Sequence, residues 1–144
     1  MKAVGQCPVL PEIALRRALL VGDAADIGVL DIVCLGDDDL VSIALAVLGH
    51  RVTVYDIDDY LLKFLHVSCE QLGLDVAVKE RDLRDPLGLD ERSQFDVFLI
   101  DPMSNRDCFD IFYRGDYLYY GPKALVLSQS TRRQASFFMK SRAL

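Results

Sequence analysis

The chain has 144 residues, 51% of them hydrophobic, and a formal net charge of −6 at pH 7. This length and hydrophobic fraction fit one domain with a buried core and exclude a disordered polymer. The acidic balance argues against a nucleic-acid partner, and no apolar run reaches the roughly 20 residues of a membrane-spanning helix. Because the N-terminus shows no signal-peptide pattern, the expected location is the cytoplasm.

The first predicted elements are a helix, a strand and a second helix. The pattern of residues 11–20 predicts an amphipathic helix with Arg16 and Arg17 facing solvent. Residues 31–35 form a continuous apolar run, typical of a strand that is buried on both faces. A second helix is expected at residues 39–49. Its predicted apolar face consists of Leu40, Ile43, Ala44, Val47 and Leu48.

The rest of the chain continues this alternation of strands and helices. Such alternation is typical of βαβ units, so we expect a Rossmann-like α/β fold with a mostly parallel sheet of about five strands and flanking helices. The further strands are predicted at residues 51–55, 75–79, 95–101 and 123–128, and the further helices at 58–72 and from about 132.

Histidine and cysteine are too scattered to suggest a metal site. The four cysteines have no C-x-x-C spacing, and Cys34 lies inside an apolar strand, where a buried thiol is expected. His50 and His66 lie away from the predicted strand ends, and both are interpreted as structural. No metal ligand is therefore predicted.

Acidic side chains follow the carboxyl ends of the predicted strands. In a parallel sheet these ends share one edge, and open α/β sheets bind their ligands there. The segments expected to converge are residues 36–39, 56–58, 81–85 and 101–105.

The first of these segments differs from the usual cofactor-binding loop. Gly36 permits a tight turn and close approach of a ligand, but Asp37, Asp38 and Asp39 follow in place of further glycines. Helix capping accounts for one or two of these acids. Three together also repel one another, so capping alone is not expected to explain them. A turn of carboxylates would reject a ligand carboxylate, since two like charges about 4 Å apart cost roughly 4 kcal/mol at an effective dielectric of about 20. The alternative is a site that prefers an amine or sulfonium to a carboxylate.

The other strand ends supply further candidates. Asp56 lies 20 residues after Gly36, the offset expected for an acid that binds ribose hydroxyls, and this role is favoured over the alternative that Asp56 begins a helix cap. Asp58 is a helix cap or a second ligand, and Asp82 is a candidate acceptor for an adenine amino group. Asp101, which precedes a proline, is a candidate general base towards an amine.

Four segments together resemble the branched-chain polyamine synthases, exemplified by N4-bis(aminopropyl)spermidine synthase, which are aminopropyltransferases of archaea and thermophilic bacteria. They are LGDDDLVSIA at 35–44, VYDID at 54–58, DLRDPL at 82–87 and FDVFLIDP at 95–102. The resemblance covers roughly residues 5 to 130, and the acidic turn is its most specific part.

The resemblance implies a fold of the class I methyltransferase type and no tightly bound cofactor. It implies decarboxylated S-adenosylmethionine as the aminopropyl donor and spermidine or a related polyamine as the acceptor. Asp37, Asp38 and Asp39 would hold cationic groups of donor and acceptor. Asp101 would face the nucleophilic nitrogen. Asp38 and Asp101 are therefore the two candidate catalytic residues that the resemblance implies.

The chain departs from the family pattern in two respects. After Asp101 and its proline, the family has a second proline, an acidic or aromatic residue and a threonine, whereas this chain has Met103-Ser104-Asn105. These residues can form hydrogen bonds but carry no charge, so acceptor recognition is expected to differ. Residues 1–144 are interpreted as one Rossmann-like domain, truncated at its C-terminus and without the family's N-terminal winged-helix-like domain. A missing domain or a second copy would then complete the site.

Two alternative functions stay open. One is an N-methyltransferase that uses S-adenosylmethionine itself, because an Asp-Pro pair after the fourth strand also suits amine methylation. The other is a truncated binding or assembly module without catalytic activity.

Overall fold

The structure is a computed structural model that describes residues 10–25, 28–37, 39–83, 85, 87–100 and 124–126. The predicted catalytic residues Asp38 and Asp101 lie outside the described residues. So do Met103-Ser104-Asn105 and the helix predicted near residue 132.

The described residues form one parallel sheet with helices around it. The strands lie in the order β3-β2-β1-β4-β5, and each neighbouring pair is parallel. This arrangement confirms the predicted Rossmann-like fold. The strands are β1 (Asp31–Leu35), β2 (Arg51–Asp56), β3 (Val76–Glu80), β4 (Val97–Ile100) and β5 (Ala124–Val126), and the helices are α1 (Pro11–Ala25), α2 (Val41–Val47), α3 (Asp59–Leu72) and α4 (Leu89–Arg92).

The central strand β1 is buried on both faces, as its continuous apolar run predicts. Ile32 and Cys34 belong to the larger core cluster, which includes residues of α1, α2 and α3. Val33 and Leu35 point to the other face, where they pack with Phe98 and neighbouring residues. Strand β1 is therefore the element around which both halves of the core assemble.

Helix α3 begins and ends where local signals predict. The carboxylate of Asp58 accepts a hydrogen bond from the Tyr60 N–H at 2.9 Å, which caps the N-terminus. Gly73 ends the helix in the left-handed conformation, with φ 64°. Side-chain capping and a C-terminal glycine depend on neighbouring residues only, so the sequence suffices to predict them.

Helix α1 corrects the predicted orientation of one arginine. Arg17 was expected to face solvent, but it is buried, whereas the adjacent Arg16 is exposed. Leu15 and Leu19 lie on the exposed side instead, at 45% and 46% of full exposure. The physical reason is a carboxylate partner for Arg17 that lies far along the chain, at Asp39.

Helix α2 corrects a predicted boundary and a predicted face. It begins at Val41 rather than Asp39, and its buried residues include Val41 and Leu45. Val47, expected in the core, is 64% exposed, and Leu48 is 40% exposed. Because nearly every position of this short helix is apolar, periodicity alone does not select the face that packs on the sheet.

The short helix α4 was not predicted. The described helices include none with the combined length and apolar character that crossing a membrane requires.

Candidate functional site

The turn after β1 begins at Gly36. This residue has φ 82°, in the left-handed region that side chains rarely adopt, and its N–H donates to the Tyr55 carbonyl at 2.9 Å. The predicted tight turn is therefore present, and it is anchored to β2 at the carboxyl edge of the sheet.

Asp37 directly follows Gly36 in the turn and is completely buried. Its Oδ1 accepts from the Ser42 N–H at 3.0 Å, and its Oδ2 accepts from the Ser42 hydroxyl. Burial raises the pKa of Asp37 well above its usual value, and the nearby carboxylates of Asp39 and Asp56 raise it further, whereas the Ser42 hydrogen bonds oppose this shift. The carboxyl group thus ties the turn to the first turn of α2.

Asp39 is held from two sides. Its Oδ2 accepts from Nη1 of Arg17 on α1, and both side chains of this ion pair are buried. Its Oδ1 accepts from the Val41 N–H at 3.3 Å, at the start of α2. Asp39 and Asp37 thus accept hydrogen bonds from N–H groups in the first turn of α2. This is the helix-capping role that the sequence offered as one alternative. A ligand cation approaching either carboxylate would compete with Ser42 or Arg17.

Asp56 ends β2 beside the acidic turn and is 9% exposed. Its Oδ1 accepts from the N–H groups of Ile57 and Asp58 at 2.7 and 2.8 Å. These bonds orient the carboxyl group at the strand end. Asp58 itself caps α3, so of its two predicted roles the capping one is observed.

A network that the sequence did not reveal lies beside these residues. The Tyr55 hydroxyl donates to Oε1 of Glu91 on α4, and Nη1 of Arg81 lies 3.1 and 3.2 Å from the two Glu91 carboxylate oxygens. The Arg81 guanidinium carbon lies 5.5 Å from the centre of the Tyr55 ring. No local signal pairs these residues, because the members come from β2, the segment after β3, and α4. Their charges and one aromatic ring are the only hints in the sequence.

The same network borders the predicted adenine-binding residue. Asp82 is half-buried, and it directly follows Arg81 in the chain. Its carbonyl accepts from the Asp85 N–H at 3.0 Å, which closes a turn, and Nε of Arg81 lies 3.4 Å from the Asp85 carbonyl oxygen. The segment that carries Asp82 is therefore tied to β2 through Arg81, Glu91 and Tyr55.

The structural interpretation of His50 and the buried thiol at Cys34 are confirmed. Nδ1 of His50 accepts from the Leu30 N–H at 3.2 Å in a buried position, away from the acidic turn. His66 is exposed on α3. Cys34 and Cys69 are both buried, and burial raises the pKa of the Cys69 thiol. Within the described ranges, no group of three or more His, Cys, Asp or Glu side chains could hold a metal ion.

The structure brings most of the predicted site residues to one edge. They follow three adjacent strands, β1, β2 and β3, at their carboxyl ends. The residues placed there are Gly36, Asp37, Asp39, Asp56, Asp58 and Asp82. The sequence missed Arg17, whose side chain reaches the acidic turn from α1.

Comparisons with known proteins agree with the resemblance. Residues 1–138 match the family model of the branched-chain polyamine synthase A C-terminal domain. The N(4)-bis(aminopropyl)spermidine synthase of Thermococcus kodakarensis is 33% identical over 135 residues, which cover 91% of this chain. This chain spans only 38% of the length of that relative.

Solved structures extend the agreement to the fold. The branched-chain polyamine synthase of Thermus thermophilus, in complex with N4-aminopropylspermidine and 5'-methylthioadenosine, is 31% identical with a TM-score of 0.68. The match covers 80% of this chain and 34% of that one. An S-adenosylmethionine-dependent methyltransferase from Agrobacterium tumefaciens has a TM-score of 0.61 at 18% identity, covering 92% of this chain and 49% of that one. This second match shows a methyltransferase-like fold.

Proposed function

The chain belongs to the branched-chain polyamine synthase family, and we propose that it forms the donor-binding part of an aminopropyltransferase. One observation carries this proposal: an acidic turn replaces the glycine-rich cofactor loop at the ligand-binding edge of a parallel sheet. A glycine-rich loop offers N–H groups to anionic parts of a cofactor, whereas a turn of carboxylates favours cationic ones.

The proposed donor is decarboxylated S-adenosylmethionine and the acceptor is a polyamine such as spermidine. The acceptor nitrogen attacks the aminopropyl carbon bound to the sulfonium, a C–N bond forms and the C–S bond breaks. 5'-Methylthioadenosine leaves with the electron pair of the C–S bond, and the nitrogen gives up a proton. The Thermus thermophilus enzyme, which binds N4-aminopropylspermidine and 5'-methylthioadenosine, supports this choice of reaction.

For the nucleoside end of the donor, we assign Gly36, Asp56 and Asp82. The positive φ of Gly36 allows the backbone to approach the donor closely. Asp56 is proposed to bind the ribose hydroxyls, since two backbone N–H groups fix its Oδ1 at the end of β2. Asp82 is proposed to accept from the adenine amino group. Asp58, already the cap of α3, would support the position of Asp56.

For the reacting end, we assign Asp38 and Asp101. An amine with a pKa of about 10 must lose a proton before it attacks, and Asp101 is proposed to accept that proton. Asp38 is proposed to hold the amine of donor or acceptor. Asp37 and Asp39 would shape the turn and set its charge rather than provide the first contact, since Ser42 and Arg17 already engage them.

Calorimetric titration of the 144-residue chain tests donor choice. Decarboxylated S-adenosylmethionine is expected to bind more tightly than S-adenosylmethionine, and the presence of spermidine is expected to change its affinity. If the carboxylated compound binds more tightly, the argument from the acidic turn fails and N-methyl transfer is favoured.

Release of 5'-methylthioadenosine tests turnover. General-base catalysis contributes about 10²- to 10⁴-fold, so Asp101→Asn is expected to lower the rate by at least about 100-fold. Donor binding without release of the thioether, in the presence of spermidine, would instead identify a binding module.

A further inference from the structure

Arg17 is a buried arginine that reaches the acidic turn from a different element. Its side chain is 9% exposed, and that of Asp39 is 1% exposed. Nη1 of Arg17 donates to Oδ2 of Asp39, 22 residues further along the chain. The neighbouring Arg16 is exposed, so burial distinguishes two adjacent arginines of the same helix.

The pair fixes the conformation of the turn. Asp39 is bound to α1 through Oδ2 and to the Val41 N–H of α2 through Oδ1. Between Asp39 and Val41 lies Leu40, a non-glycine residue at φ 57°. A backbone conformation that costs about 1–2 kcal/mol persists only where surrounding contacts enforce it, and the Asp39 carboxylate supplies contacts on both sides.

The pair also changes the charge that a ligand meets. Arg17 compensates Asp39, so the described part of the turn presents less negative charge than its sequence suggests. Asp37 is completely buried, and burial raises its pKa, although the hydrogen bonds from Ser42 oppose this shift. The balance between Arg17 and Asp39 therefore contributes to the potential at this edge of the sheet, together with Asp56.

We propose that Arg17 is a positioning residue of the donor site, which acts through Asp39 to fix the acidic turn and to set its charge. This inference rests on the proposed function. It makes the compensation of Asp39 by Arg17, rather than the Asp39 carboxylate alone, the factor that sets how strongly Asp39 favours a dicationic donor over its carboxylated parent.

Four variants of the full chain test it by calorimetry with the two donors: Arg17→Met, Asp39→Asn, the double variant, and Arg16→Met as the matched control. The measured quantity is the ratio of the Kd of S-adenosylmethionine to that of its decarboxylated form. The two ligands differ by one charge. A unit charge roughly 10 Å away at an effective dielectric of about 20 to 40 changes this ratio by about fourfold or more.

The single changes are expected to move the ratio in opposite directions. Arg17→Met removes the positive charge opposite Asp39 and raises the ratio about fourfold or more, whereas Asp39→Asn removes the negative charge opposite Arg17 and lowers the ratio by a similar factor. The double variant is expected to return to within about twofold of the wild type, as is Arg16→Met. A role confined to stability would not produce opposite changes in selectivity.

The outcomes that would overturn the inference can be told apart from loss of folding and from failure of the proposed function. Either single change breaks the buried ion pair and lowers stability, whereas the double variant removes both of its charges. If the single variants do not fold, the double variant decides. Wild-type selectivity with weaker binding of both donors supports the pair, because the charge balance is kept while the tie between α1 and the turn is lost. Unchanged affinity and selectivity would show that the pair has no role, and lost selectivity would show that Asp39 contacts the donor directly; either result overturns the inference. An unchanged ratio in folded single variants overturns it too. A wild-type chain that binds neither donor, or prefers the carboxylated one, refutes the proposed function, and the inference falls with it.

Discussion

Replacement of Tyr55 by Phe is expected to weaken the tie between β2 and the segment that carries Asp82. The hydroxyl of Tyr55 donates to the Glu91 carboxylate, and a hydrogen bond to a charged group contributes about 1.5–3 kcal/mol. Glu91 keeps its contact with Arg81, and the ring of residue 55 keeps its place in the core. The loss should therefore lie near the lower end, at about 1.5–2 kcal/mol in the free energy of unfolding.

The pH dependence of this contribution has a definite sign. Burial, together with the Glu91 carboxylate, raises the pKa of Tyr55 from 10.0 to about 12. Because the pKa in the folded state is the higher one, the contribution of Tyr55 to stability is complete below pH 10. It is lost as the pH rises through 12, by at most about 2.7 kcal/mol. The Tyr55→Phe variant should not lose this part of its free energy of unfolding at alkaline pH.

Urea unfolding followed by circular dichroism measures both effects. The matched control is Tyr60→Phe, because Tyr60 is 63% exposed on α3 and its change should stay within about 0.5 kcal/mol. If Tyr55→Phe costs no more than the control at pH 7.5, the hydrogen bond from Tyr55 to Glu91 does not stabilise the fold. An identical alkaline loss of stability in wild type and variant would refute the assigned cause of the pKa shift.

Three further changes probe the turn and the core. Gly36→Ala places a side chain on a backbone at φ 82° and should lower the free energy of urea unfolding by about 1–2 kcal/mol. The control is Gly28→Ala, which should not have this cost, because no atom lies within 4 Å of the added carbon and φ is outside the left-handed region. Equal losses in the two variants would contradict the assignment of strain to Gly36. Burial raises the pKa of Asp37, so its stability contribution is greatest below the unfolded pKa of about 3.9 and is lost as the pH rises through the raised value. Asp37→Asn should accordingly lose less stability than wild type as the pH rises above about 4, and an unchanged slope of the unfolding free energy against pH would contradict this expectation. Leu45→Ala, at a completely buried position of α2, should lower the free energy of unfolding by about 2–5 kcal/mol. Val47→Ala, at a position that is 64% exposed, should change this free energy little. Comparable melting temperatures for the two variants would show that α2 packs by its other face.

The sequence predicts those features of the site that depend on neighbouring residues or on the direction of the parallel strands. The positions of Gly36 and Asp56 follow from the strands that precede them, because parallel strands bring their carboxyl ends to one edge. The cap at Asp58 and the stop at Gly73 are local hydrogen-bonding and backbone preferences.

By itself, the sequence thus determined the fold class, the central buried strand and the edge at which the acidic residues gather. The tertiary structure decided which charges are compensated there. Arg17 is polar in a predicted amphipathic helix, and only the arrival of Asp39 from 22 residues away accounts for its burial. Tyr55 and Glu91, 36 residues apart, are joined in the same way. Periodicity reports the average environment of a helix face, whereas the partner of a buried charge depends on how distant elements pack, and that information appears only when the chain is folded.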